Sequence, residues 1–136
     1  MKNPYSQYRK TQVENASRED LLIQLYEKAI GNIRQARELW DGEDGVRARE
    51  LLMRALDIVY ELDSTLDREQ GGDVVEHLEA LYDFLEREIT QANLQGEFHR
   101  LGSVQEVLET LYQGWREAVR QHRYEQSSGA TQDVAG

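Results

Sequence analysis

The chain has 136 residues, one proline, no cysteine and a net charge of −10, a length that suits one domain with a self-sufficient core. The missing cysteine excludes disulfides, thiolate metal sites and a cysteine nucleophile, and no apolar run nears the roughly 20 residues of a membrane-spanning helix. Residues 41–97 carry sixteen Asp and Glu against five Arg, while residues 1–40 carry seven Lys and Arg against five acids, so no basic stripe exists to attract nucleic acid or an anionic membrane.

Residues 1–16 place Tyr5, Tyr8 and Val13 at spacings that cover something apolar, and Asn3-Pro4 discourages a helix before them. They are expected to form a segment packed on the body of the domain. The first predicted helix runs from about Arg18 to Trp40, with Leu22, Leu25, Tyr26, Ala29, Ile33, Ala36 and Trp40 in one stripe at a 3.6-residue period. Ser17 suits its N-cap, with Asp20 at the capping-box position, and Asp41-Gly42-Glu43-Asp44-Gly45 ends it. The second runs from about Val46 to Leu66 on Leu51, Leu52, Ala55, Ile58, Val59 and Leu62, and Gln70-Gly71-Gly72 breaks it.

The third predicted helix spans about Val74 to Leu94, capped by Asp73 with Glu76 three residues on. Its stripe is Val74, Leu78, Leu81, Tyr82, Leu85, Ile89 and Ala92. After a looser connection over Asn93–Gly102, the fourth starts at Ser103 and carries Val104, Val107, Leu108, Leu111, Trp115, Ala118 and Val119. Residues 124–136 have little to bury and are expected to be disordered. Four helices of roughly 20 residues with short turns predict an all-α fold. The expected architecture is an antiparallel up-down four-helix bundle over residues 17–123, with residues 1–16 as an N-terminal capping segment.

Chemistry finds little to use in this pattern. A di-iron bundle needs Glu-x-x-His, but Val74, Gly96 and Val119 stand three residues before His77, His99 and His122. Asp73 and His77 share a helix face, which more often gives a surface hydrogen bond than a metal site. No Gly-x-Ser-x-Gly turn or phosphate-binding glycine loop appears, and Gly71-Gly72 lies among Asp67, Glu69 and Asp73, which repel an anion. No catalytic residue, metal, cofactor or small-molecule substrate is expected. Tyr26 and Tyr82 fit core packing with a hydroxyl at the edge more readily than a partner surface. Gly31 and Gly114 cost their helices about 1 kcal/mol each relative to alanine, which close helix packing explains as well as function does.

Taken in order, Asn3-Pro4-Tyr5-x-x-Tyr8, Asn15-Ala16-Ser17 with Leu21-Leu22, Leu25-Tyr26-Glu27-Lys28-Ala29-Ile30, Ala55-x-x-Ile58-x-x-Glu61-Leu62, Leu66-Asp67, Gly71-Gly72 and Leu78-x-x-Leu81-Tyr82-Asp83 resemble the FliS family of flagellar secretion chaperones. Trp115 lies where such proteins often have tryptophan. Arg18 stands where the family usually has proline, and Glu27-Lys28 replaces its common Asp-Gly. The resemblance implies a non-enzymatic cytosolic chaperone that binds the disordered C-terminal region of flagellin, blocks premature polymerisation and delivers it to the type III export gate. Tyr5, Tyr8, Val13, Leu22, Tyr26 and Tyr82 are the expected partner-binding residues, with residues 3–16 lying over part of an apolar groove. The competing expectation is a homodimeric helical scaffold that pairs its exposed stripe with itself.

Overall fold

A computed structural model describes the backbone of residues 4–40 and 44–135, and the side chains among them except at 11, 12, 15, 16 and 128–135. Asn3 and the turn residues Asp41-Gly42-Glu43 therefore lie outside the described residues. The elements are α1 (Pro4–Trp40), α2 (Gly45–Ser64), α3 (Asp73–Gln95), a short 3₁₀ turn (Phe98–Arg100) and α4 (Leu101–Ala135). The described chain is all-helical, as the four apolar stripes predict.

Helix boundaries follow local chemistry. Asp44 caps α2, its carboxylate accepting the Arg47 N–H at 3.0 Å. At the other end of α2 the Ser64 and Thr65 hydroxyls turn back to the carbonyls of Glu61 and Leu62, each at 2.6 Å, which competes with further helix. Gly72, at φ 99°, precedes α3, and Gly96, at φ 68°, closes it in the left-handed conformation that glycine adopts without penalty. Three predicted helix starts are displaced. Asp73 is the first residue of α3 and makes no capping bond; it acts with Glu76 through the helix dipole. Ser17 lies inside α1 and Ser103 inside α4, where the Ser103 hydroxyl donates to the Arg100 carbonyl at 3.1 Å.

The two ends of the chain differ most from expectation. Residues 4–16 do not fold over the body as a capping segment: they continue α1, and Tyr5, Tyr8 and Val13 are 66%, 60% and 64% exposed. Proline is tolerated at the first helical position, where no intrahelical N–H bond is lost. No glycine or further proline occurs before Gly31, so a helix nucleated by the packed turns propagates outward at low cost per residue. The same propagation carries α4 through residues 124–135, which are helical instead of disordered.

The core is built from the predicted stripes. Tyr26, Ala29, Ile33 and Ala36 of α1 meet Leu51, Leu52, Ala55, Val59 and Leu62 of α2, with Tyr82, Leu85, Ile89 and Ala92 of α3 and Leu101, Val104 and Leu108 of the first turns of α4. Burying each of these larger side chains contributes about 1.5–3 kcal/mol. α1 packs on α2 and α4, and α3 packs on α2 and, least extensively, on α4. Polar contacts between α1 and α4 run in opposite chain order: Arg37 to Gln105 at 2.8 Å, Arg34 to Glu109 at 3.2 Å, Glu27 to Tyr112 at 2.9 Å and Asp20 to Arg123 at 2.7 Å. At one end the Trp40 and Phe98 rings stack 3.5 Å apart and nearly parallel. The Trp40 ring also lies 3.7 Å from where a side chain on Gly96 would begin.

Candidate functional site

An apolar groove of about 380 Å³ runs between the start of α3 and the middle of α4. Val74 and Leu78, one turn apart on α3, form one wall. Leu111, Trp115 and Ala118, at i, i+4 and i+7 on α4, form the other, together with Thr110 and Gly114 of the same helix. Helical spacing brings these side chains onto one line. Nothing lies within 4 Å of the point where a Gly114 side chain would begin, so the missing Cβ deepens the groove and does not serve close packing. Gly31 faces open space in the same way.

Trp115 is half-buried against the core. Its indole N–H donates to the Tyr26 oxygen at 3.0 Å, and the Tyr26 and Tyr82 oxygens lie 2.5 Å apart. Both tyrosines are buried, at 0% and 1% exposure. Burial first, then the adjoining Tyr82, pushes the Tyr26 phenol far above its ordinary range, and burial raises Tyr82 as well. Both therefore remain neutral hydrogen-bonding groups at physiological pH.

Of the six sequence-predicted partner contacts, Tyr26 and Tyr82 are corrected to core residues, since no partner surface reaches side chains that are closed to solvent. Leu22 is half-buried against the core. Tyr5, Tyr8 and Val13 stand exposed along the first part of α1, with the Arg9 guanidinium 6.0 Å from the Tyr5 ring centre, and none of the three lines the groove. Sequence reasoning assigned Leu78, Leu111, Trp115 and Ala118 to core stripes. The available signal was stripe width: on α4 the apolar positions spread over more than one neighbour covers.

Asp63, Asp83 and Glu86 bring carboxylate oxygens within 4.8 Å of one another between α2 and α3. The Arg68 guanidinium bonds Asp63 at 2.6 Å and reaches Glu79 at 2.5 Å. Burial, then the charges of Asp63 and Asp83, pushes the Glu86 carboxyl up to about 7, with Arg68 opposing. Such crowding favours a retained proton. Asp73 and His77 are both exposed.

An all-helical protein with an apolar groove between two helices, one indole in its lining, belongs to a class whose grooves suit an amphipathic segment. The chain matches the model of the family described as flagellar protein FliS over residues 1–122. It is 28% identical over 123 residues to the flagellar secretion chaperone FliS of Bacillus subtilis (strain 168), covering 90% of this chain and 91% of that protein. It is 32% identical over 120 residues to the flagellar secretion chaperone FliS of Vibrio cholerae serotype O1, covering 85% and 88%, and 28% identical over 116 residues to that of Salmonella typhimurium (strain LT2), covering 85% and 86%. The chain belongs to the FliS family. That family is one of chaperones, not enzymes.

Proposed function

We propose that this protein is a flagellar secretion chaperone that takes the disordered C-terminal region of flagellin into an apolar groove. Holding it there prevents premature polymerisation in the cytosol and delivers the subunit to the type III export gate. The observation that carries this reading is the α3–α4 groove, whose wall residues Leu111, Trp115 and Ala118 repeat at the period of an incoming amphipathic helix. Ordering a disordered segment costs about 2–5 kcal/mol or more, and a largely apolar lining offsets that cost. The opposite chain order of the α1–α4 contacts supports an antiparallel up-down bundle as the scaffold. Tyr5, Tyr8 and Val13, exposed on α1, and Leu22, half-buried further along the same helix, are proposed as additional partner contacts. No helix among the described residues is long and apolar enough to cross a membrane.

The test is light scattering after gel filtration, with and without a peptide spanning the flagellin C-terminal region. A stable one-to-one complex is expected, and Leu111→Asp, which puts a charge into the groove, should abolish it. A homodimer that ignores the peptide would replace this reading with the scaffold alternative.

A further inference from the structure

Among the described residues Trp115 is the largest side chain in the groove lining and its one aromatic ring, and its orientation is set from behind. A tryptophan ring on a partly open helix face has several staggered χ1 and broad χ2 positions available. Its one polar group is the indole N–H, a donor only. Here that donor is used by the Tyr26 oxygen at 3.0 Å, and the Tyr26 hydroxyl is itself tied to Tyr82 at 2.5 Å. One residue each from α1, α3 and α4 thus meets at the groove floor. Turning the indole away would break the indole N–H bond to the buried Tyr26 oxygen and leave that oxygen with Tyr82 alone, and losing a hydrogen bond to a buried group is costly.

We infer that Trp115 is the aromatic anchor on which the client packs. Tyr26, braced by Tyr82, is a positioning residue that fixes the orientation of that anchor from inside the core. This rests on the groove being the client site and adds a division of labour within it. Gly114 leaves open space beside the ring, so a large aliphatic or aromatic client side chain has room to lie against the indole. Aromatic anchors in partly desolvated pockets commonly dominate binding energy. Two tyrosines that never touch the client therefore control its affinity.

The sequence has two tryptophans, so an ¹⁵N-labelled sample gives two indole N–H signals, and Trp115→Phe identifies which is Trp115. In Tyr26→Phe, which keeps the buried ring, the Trp115 signal should shift and its solvent exchange accelerate, while the Trp40 signal stays in place. Affinity for the flagellin C-terminal peptide should fall about fivefold, the order expected for one neutral hydrogen bond. Tyr82→Phe, which keeps the Trp115–Tyr26 bond, should lower affinity less. In a Trp115→Phe background, Tyr26→Phe should have no further effect on affinity.

An unmoved Trp115 signal in Tyr26→Phe overturns the inference. So does an equal further loss of affinity in the double variant, which would mark Tyr26 as merely structural. Wild-type affinity in Tyr26→Phe together with lost binding in Trp115→Ala overturns the positioning role while leaving the groove intact as the client site. Wild-type affinity in Trp115→Ala overturns both.

Discussion

Glu86 ties the stability of this protein to pH in a direction opposite to the usual carboxylate. Its Oε1 is buried without a hydrogen-bond partner, and burial together with Asp63 and Asp83 raises its pKa from 4.5 to about 7. Below pH 4.5 both folded and unfolded chains hold the proton, so Glu86 imposes no penalty. Between 4.5 and about 7 the unfolded chain releases it while the folded chain retains it, and stability falls as pH rises through that window. The full shift corresponds to about 3 kcal/mol. Glu86 is still partly open to water, and screening reduces the expected loss to about 1–2 kcal/mol, a drop of roughly 4–8 °C in midpoint for a domain of this size. Thermal unfolding followed by circular dichroism from pH 4.5 to 8 should show this decline in the wild type and not in Glu86→Gln, whose amide stays neutral. Glu109 leaves the window clean: bonds from Gln105 and Arg34 lower its pKa, so its contribution disappears only at more acid pH. Parallel pH profiles for wild type and Glu86→Gln would refute the argument.

Three further outcomes follow from the packing. Gly31→Ala should stabilise the protein by up to about 1 kcal/mol in urea unfolding, because the helix gains propensity and the added methyl meets open space. Gly114→Leu should leave the unfolding midpoint near the wild-type value or above it, yet weaken flagellin-peptide binding at least tenfold by filling the groove, as read by calorimetric titration. Trp40→Ala, which removes the stack on Phe98, should cost about 2–3 kcal/mol in denaturant unfolding, below the range of a fully buried tryptophan because Trp40 is half-buried.

The middle of the fold was legible because burial imposes periodicity. Leu51, Leu52, Ala55, Val59 and Leu62 repeat at the helical period for a reason that needs no tertiary knowledge, and Gly72 and Gly96 mark where the chain must turn. The ends were not legible by the same logic. Residues 4–16 are too polar to announce a packed helix, and Pro4 reads as a breaker until it is seen at a first helical position, where it breaks nothing. The groove was hidden by ambiguity: Leu111 and Trp115 obey the same period as Leu108, and only the neighbour across the gap decides which of them is covered. Tyr26 and Tyr82 could serve core or surface from sequence, and it took their mutual hydrogen bond, between residues far apart in the chain, to assign them to the interior.

The Trp40–Phe98 stack and Gly96 sit at the opposite end of α3 from Val74 and Leu78. The Phe98–Arg100 turn thus pins α3 to α4 at one extremity, and the groove opens between them away from it, like the arms of tweezers. From Gly96 to Leu78 the lever is about 27 Å long at 1.5 Å per residue, and a tilt of about 4° at the pin moves the far tip by about 2 Å. A tilt of that size would let the gap take side chains of different girth without melting a single turn.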